Sequence, residues 1–461
     1  MYQISFDNPI NVYFIGIGGI SMSGLALVLA NRGFKVSGSD RSESEATAEL
    51  TNAGIKVFIG QRAENIDNII KPDVVVYTAA IHPDNPEFAA AKKLGIPMLT
   101  RAELLGQIMQ HYHLPVNVAG THGKTTTTAM VAKIMLEGNL DPTVSIGGFL
   151  KDIGGNIRIG ASKYFVTEAC EYTNSFLSFF PGVGIILNID ADHLDFFKDL
   201  DDIRHSFRKF AQLIPENGTL VINGEIPNLS EITDGLTCNI KTYGFSDNYD
   251  YYPTNISYDS FGNASFHINI KNGNGFDIAL KVPGKHNISN AMAAAAASDV
   301  FGISEAEIKS GLCSFTGTDR RFEYKGTVDG VTIIDDYAHH PTEIAATLSA
   351  AKNYPHKNIW VVFQPHTFTR TKALMDEFAH ALLGADKLII ADIYAARETD
   401  NLGISSRTLK EKIESLGHEC YYFPSFDEIE KFLLQNCTKD DLLITMGAGD
   451  VVNIANDLLG M

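Results

Sequence analysis

The sequence predicts an α/β protein of three domains. These are a Rossmann-like N-terminal domain, a central P-loop ATPase-like α/β domain with an antiparallel β flank, and a Rossmann-like C-terminal domain. Three observations carry the prediction. At 461 residues the chain exceeds what one core supports, since single cores stop growing near roughly 250–300 residues. Short β-rich runs alternate with helical patterns at both ends, the signature of parallel, doubly wound sheets. Between them an apolar run, 116–119, enters a tight glycine loop followed by a lysine, two threonines and a helical segment, 127–137.

The first domain is expected over 1–110, with strands at 11–17, 35–38, 56–59 and 74–78 and helices at 22–31, 47–52 and 85–94. The polar stretch 107–113, closed by Pro115, marks its end. The second domain, expected over 111–317, opens with the glycine loop and continues through strands at 164–168, 183–189 and 219–222. From 241 to 282 the character changes to Asn, Gly, Tyr and alternating patterns such as Ser265-Phe266-His267-Ile268-Asn269-Ile270, which read as the antiparallel flank. Pro283-Gly284 then turns into a helix through 291–297. The third domain, expected over 318–461, carries strands at 331–334, 359–363, 387–391 and 442–446 with helices between them.

Bulk properties exclude several function classes. A formal net charge of −18 argues against a nucleic-acid partner, because phosphate backbones attract basic surfaces. The five cysteines are widely spaced with no metal-type pairing, which fits a reducing cytoplasm and no structural zinc. Residues 1–11 lack a signal-peptide pattern, and no apolar run reaches the roughly 18 residues that would span a bilayer. The expectation is a cytoplasmic protein with neither a membrane nor a nucleic-acid partner. An acidic protein that binds an acidic nucleotide must concentrate positive charge locally.

The loop Gly120-Thr121-His122-Gly123-Lys124-Thr125-Thr126 meets that demand. Its glycines let backbone N–H groups approach a phosphate, Lys124 adds charge, and a threonine hydroxyl suits Mg²⁺. It is the shorter G-x-x-G-K-T form rather than the eight-residue one, which needs glycine where Val118 stands. Glu168 and His193 each follow a strand and face the crevice of this loop, where a carboxylate and an imidazole can hold a divalent ion. A hydrogen-bonded loop histidine is the alternative for His193. Asn287 and Asn290 are i, i+3 and share a helix face, so their amides suit an adenine edge; an N-cap role is the alternative for Asn287.

The first glycine loop, Gly16-Ile17-Gly18-Gly19-Ile20-Ser21, suits a pyrophosphate at the helix that follows it, and Asp40 stands where an acid binds ribose hydroxyls. A tight structural turn is the alternative, and a nicotinamide-dependent dehydrogenase is the rival class this loop supports. In Asp319-Arg320-Arg321-Phe322-Glu323, at the second boundary, one arginine suits the charge of a phosphate in transfer. Asp335 to Thr342 and Gln364 to Thr371 are dense polar clusters at strand ends.

These motifs, in this order and over essentially the whole length, resemble the Mur ligase family. The resemblance rests on Gly16 to Ser21, Gly120 to Thr127, Glu168-Ala169-Cys170-Glu171, Asp192-His193-Leu194-Asp195, His286-Asn287 with Asn290, Arg320-Arg321-Phe322, Asp335 to Glu343 and Gln364-Pro365-His366. It implies an ATP- and Mg²⁺-dependent ligase that joins L-alanine to the lactyl carboxylate of UDP-N-acetylmuramate through an acyl phosphate. It places Gly120 to Thr126, Asn287, Asn290 and Arg321 on ATP and Lys124 on the β- and γ-phosphates. Thr125 and Glu168 fall on one Mg²⁺, His193 on a second, and Asp336 in the active site. Gly16, Gly18, Gly19, Ile20, Ser21 and Asp40 fall to the UDP-sugar, and His366 and Arg370, with His339 or His340, to L-alanine. Some members carry arginine where this chain has Thr367. Others support the second metal with a carbamylated lysine, for which no lysine here is assigned. A recycling ligase that accepts a whole peptide is the nearest alternative.

Overall fold

The computed structural model describes residues 2–66, 71–78, 80–396 and 398–461. Its first sheet has five parallel strands in the order Lys56–Ile59, Lys35–Asp40, Asn11–Ile15, Val74–Tyr77 and Met98–Thr100. Val12, Tyr13, Phe14 and Ile15 are all fully buried, as a central strand covered on both faces by helices requires. Local signals start the helices. Ser44 and Thr100 each form a capping box, and Asn85 accepts from the N–H groups of Glu87 and Phe88 ahead of Pro86. The fifth strand and the helix Arg101–Met109 behind it were not read from the sequence. Gln107, taken as part of a polar stretch, is buried in that helix, where it accepts from Ile4 N–H and donates to the Tyr2 carbonyl.

The second sheet has ten strands. In order they are Phe276–Pro283, Asn263–Ile270, Tyr251–Tyr258, Asn239–Tyr243, Thr219–Asn223, Val183–Ile186, Val116–Ala119, Phe165–Ala169, Thr143–Leu150 and Gly155–Arg158. The middle is parallel, and the flank at 251–283 is antiparallel, as the alternation predicts. The hairpin 143–158 at the other edge escaped the sequence reading. The third sheet runs Glu323–Val328, Val331–Asp336, Leu442–Met446, Ile359–Phe363, Lys387–Ile390 and Cys420–Tyr422, parallel except for its first strand. No helix among the described residues is long and apolar enough to cross a membrane.

The cores divide unevenly. One apolar cluster runs without a break from Val12, Phe14 and Leu105 to Phe176, Phe207 and Phe210, joining the first sheet's layers to the second's. The third sheet has its own clusters, around Phe363 and around Trp360. The N-terminal and central domains therefore share a core, and the C-terminal domain does not. Gly106 shows how tight the shared seam is. A Cβ there would lie 2.0 Å from the Ser178 carbonyl oxygen.

Alanine in a helix interior is favoured over glycine by about 1 kcal/mol, whereas overpacking a seam costs about 1–3 kcal/mol. Gly106→Ala should therefore lower the thermal midpoint, by up to about 3 °C, despite its better helix propensity. Calorimetry of the variant checks this, and a raised midpoint would contradict the shared seam.

Candidate active site

The phosphate loop leaves the strand Val116–Ala119 and is fixed from the neighbouring strand's end. Asn188 accepts from His122 N–H at 2.8 Å and donates to the His122 carbonyl at 3.0 Å, so one amide clamps the loop. Gly120 and Gly123 adopt φ of +144° and +83°, and a Cβ on Gly123 would meet Asn290 Oδ1 at 2.8 Å. The helix Lys124–Glu137 begins on Gly123 with no side-chain cap, which leaves its first N–H groups for an anion. Lys124 Nζ donates to the carbonyls of Gly120 at 2.5 Å and Thr121 at 3.1 Å and pairs with Glu171 at 3.1 Å. Burial works against this ammonium, but the charge and hydrogen bond of Glu171, together with Cys170 and Glu168, outweigh it and raise the lysine pKa.

Around the loop stand the expected metal ligands. Glu168 accepts from Gly147 N–H at 2.6 Å. A Cβ on Gly147 would lie 3.0 Å from Glu168 Oε1, and one on Gly148 would lie 3.1 Å from Thr125 Cγ2. The glycines of the unforeseen hairpin thus let it approach both residues. His193 has φ +54°, lies over the Tyr172 ring at 4.6 Å, and places Nε2 4.0 Å from Glu171 and 3.8 Å from Asp192. Burial lowers its pKa, with Asp192 and Glu171 opposing, so the ring stays neutral, the form that binds metal. The hydroxyl of Thr125 and the carboxylate of Glu168 suit one Mg²⁺ completed by phosphate oxygens and water, and the neutral imidazole of His193 keeps a lone pair for a second divalent ion.

A cavity of about 300 Å³ opens beside the loop, lined by His122, Gly123, Thr125, Thr126, Asn287, Asn290, Arg321 and Asp336. The helix behind it begins at Lys285, so Asn287 is not its cap. Asn287 donates to the Pro283 carbonyl and accepts from the Asn290 amide, which holds both side chains in place. The two adjacent arginines separate cleanly. Arg320 is consumed by Asp335 and the carbonyls of Gly447 and Gly449, whereas Arg321 faces the cavity. Asp336 accepts from Phe322 N–H and Ala338 N–H. Burial pushes its pKa up to about 6, against the pull of Arg321.

The C-terminal domain reaches this cavity through polar ties. The His122 ring lies between Asp190, 3.3 Å from Nε2, and Glu343, 3.2 Å from Nδ1. Thr342 donates to Asp190 at 2.7 Å. His340 Nδ1 accepts from Thr342 N–H, so its Nε2 carries the proton and donates to the Ala191 carbonyl at 3.1 Å. Arg370 pairs with Asp192 at 3.0 Å and bonds His366 Nδ1 at 3.2 Å. Burial opposes the charge on His122, yet its two carboxylate partners raise its pKa to about 9.

Two further cavities adjoin. A pocket of about 120 Å³ is lined by His193, Leu194, His366, Thr367, Arg370 and Glu398. His366 and Arg370 are thus brought together, but His339 and His340 are not among its lining residues. His339 Nδ1 bonds the Tyr337 carbonyl, and His340 makes the tie just described. Thr367, at φ +67°, caps the short helix Phe368–Ala373. The other cavity, about 690 Å³, lies where the first domain meets the second and includes Gly19, Ile20, Ser21, Arg101 and Tyr172. Gly16, Gly18 and Asp40 fall outside its lining. Asp40 instead accepts from Gly18 N–H at 2.8 Å and holds the loop.

Family models match nearly the whole chain. The Mur ligase family catalytic domain matches residues 11–113, the Mur ligase middle domain 118–298, and the Mur ligase glutamate ligase domain 320–449. The chain belongs to the Mur ligase family. Among curated relatives, it is 59% identical over 459 residues to a UDP-N-acetylmuramate–L-alanine ligase of Agathobacter rectalis, with 100% of both chains covered. It is 58% identical to the same enzyme of Lachnospira eligens, again over 100% of both chains. Its structure is similar to the UDP-N-acetylmuramate–alanine ligase of Thermotoga maritima, with TM-score 0.82, 30% identity and 98% of both chains covered. It is also similar to a murein peptide ligase of Psychrobacter arcticus, with TM-score 0.73, 25% identity and 98% of both covered.

Two groups of this Mur ligase's site were missed by residue-level reading. Arg101 bonds Ser21 at 3.0 Å and lines the large cavity, but no motif surrounds it. Glu171 stands in the stretch Glu168-Ala169-Cys170-Glu171 with no spacing signal of its own, and only its burial against Lys124 sets it apart.

The raised pKa of His122 sets a pH dependence. The ordinary value is 6.5 and the folded one about 9, so its stabilising effect is complete below 6.5 and lost as pH rises through 9. The difference in thermal midpoint between the parent chain and His122→Gln should be largest near pH 6 and vanish above about pH 10. Melting curves across this range check it, and a gap independent of pH would sink the imidazolium assignment.

Proposed function

We propose that this Mur ligase joins L-alanine to the lactyl carboxylate of UDP-N-acetylmuramate and cleaves ATP to ADP and phosphate. The observation that carries the reading is the meeting of sites at Tyr172 and His193. Tyr172 lines both the large cavity and the small pocket, and His193, beneath its ring, reaches back toward Glu171 and Lys124. Sugar carboxylate, amino acid and triphosphate therefore converge on one point. Full-length identity of 59% and 58% to two UDP-N-acetylmuramate–L-alanine ligases supports the same substrates.

A lactyl carboxylate oxygen attacks the γ-phosphorus, and the bond to the β-phosphate oxygen breaks, giving an acyl phosphate and ADP. The amine of L-alanine then attacks the acyl carbon, loses a proton, and phosphate leaves with the former carboxylate oxygen. The first step brings two anions together, so positive charge governs its rate. Lys124 and the uncapped N–H groups of its helix serve the β- and γ-phosphates, and Arg321 serves the γ-phosphate from the hinge. Asn287 and Asn290 place the adenine. Mg²⁺ would be held by Thr125 and Glu168, with a second ion on His193, and would supply charge neutralisation to the triphosphate and carboxylate. Arg370 and His366 take the amino acid in a pocket of about 120 Å³, a size suited to one small residue rather than a peptide. UDP falls to the large cavity through Gly19, Ile20, Ser21 and Arg101.

Phosphate release should require ATP, UDP-N-acetylmuramate and an amino acid together. Lys124→Ala should reduce it by about 10²–10³-fold or more, in line with the loss of one charge aimed at the reacting phosphate. Unchanged turnover would contradict the mechanism. With L-alanine and an L-Ala-γ-D-Glu-containing tripeptide offered separately, product should form with L-alanine; product with the tripeptide alone would establish the recycling ligase instead.

A further inference from the structure

Glu171 is a buried group beside the phosphate loop that the mechanism above does not use. It lies just past the strand Phe165–Ala169, immediately before a turn in which Thr173 and Asn174 both take left-handed backbone angles. Its side chain is 2% exposed. One carboxylate oxygen is 3.1 Å from Lys124 Nζ, and the other is 4.0 Å from His193 Nε2. The carboxylate therefore stands between the lysine of the phosphate loop and the imidazole on the other side of the site.

Burying a carboxylate this deeply requires a cation, because an unpaired charge out of water costs several kcal/mol. Lys124 supplies that cation here. The same ammonium is tied to the carbonyls of Gly120 and Thr121, so its three N–H donors are all occupied. Serving a triphosphate means giving up at least one partner, of which Glu171 is the anion that phosphate oxygens replace like for like. The ammonium's departure strips Glu171 of its counter-charge while the carboxylate stays enclosed. A replacement cation must then come to the same spot. The oxygen and nitrogen 4.0 Å apart are a spacing that one divalent ion about 2.1 Å from each can span.

We propose that Glu171 is an exchange ligand, which holds Lys124 before nucleotide binds and takes the second divalent ion together with His193 once Lys124 moves to the phosphates. This rests on the reading of His193 as a metal ligand. Two consequences of opposite sign follow. Glu171 competes with phosphate for Lys124, so its removal strengthens binding of metal-free nucleotide. It also completes the second ion's sphere, so its removal weakens that ion.

The test uses the full chain with β,γ-methylene-ATP, UDP-N-acetylmuramate and Mn²⁺ counted by electron paramagnetic resonance. The parent chain should bind two Mn²⁺. Glu171→Gln should bind the second at least tenfold more weakly, while calorimetry without metal shows the nucleotide analogue bound several-fold more tightly. Two ions at parent affinity in Glu171→Gln, or weaker or unchanged metal-free nucleotide binding, would overturn the proposal while leaving the His193 reading intact. A single Mn²⁺ in the parent chain would instead overturn the His193 reading, and the proposal with it. Should Glu171→Gln not fold, the anomalous Mn²⁺ peaks in crystals of the parent complex decide. A second peak bonded to both Glu171 and His193 supports exchange, and one bonded to His193 alone refutes it.

Discussion

Lys124 begins its helix with its ammonium bonded to two carbonyls of its own loop and paired with the buried carboxylate of Glu171. In a chain of net charge −18, this is the positive charge that the proposed mechanism directs at a triphosphate. Much of the surrounding structure serves that placement. The left-handed glycines 120 and 123 let the loop fold back, and the Asn188 amide fixes its path. The uncapped helix start adds the partial charge of its free N–H groups. Without these, a lysine on a mobile side chain would be screened by water and worth little.

The two domain junctions differ in kind, and that difference assigns their mobility. The first and second domains share an apolar core, closed so tightly that Gly106 touches a backbone carbonyl. Moving them apart would expose that apolar surface to water. The third domain meets the second mainly through polar ties, among them His122 with Asp190 and Glu343, Thr342 with Asp190, His340 with the Ala191 carbonyl and Arg370 with Asp192, with the Phe261–Tyr354 ring contact beside them. Such contacts exchange for water at small net cost, so this junction costs less to open than the first. Arg321, Asp336 and Arg370 come from the C-terminal side of this junction. Closure would complete the charge around the phosphate and the amino-acid pocket in one step.

Much of this was legible in the chain, because it is written in local pattern. Glycine loops between strand and helix, polar clusters at strand ends and the alternation in 263–270 each report a backbone geometry through neighbouring residues. What escaped depends on distant partners. The hairpin 143–158 contains Gly147 and Gly148, which weaken any strand signal, and their purpose appears only against Glu168 and Thr125. Asp40 turned to Gly18 N–H, and Gln107 turned to the N-terminal segment. Asn287 proved to be inside its helix rather than at its start because Gly284, at φ +99°, makes the turn earlier. The residue pattern alone leaves Arg320 and Arg321 equivalent and only the family resemblance favours Arg321; the packing supplies the physical reason, with Arg320 consumed by Asp335 and two carbonyls.

The central claim is that this gathered charge lets one anion attack another, so that a carboxylate oxygen ends on phosphate. UDP-N-acetylmuramate labelled with ¹⁸O in both lactyl carboxylate oxygens, incubated with ATP and L-alanine, tests this directly through mass analysis of the released phosphate. The account predicts one ¹⁸O in each phosphate released and one retained in the new amide. Phosphate without label would show that the carboxylate never attacked the γ-phosphorus, and would contradict the account.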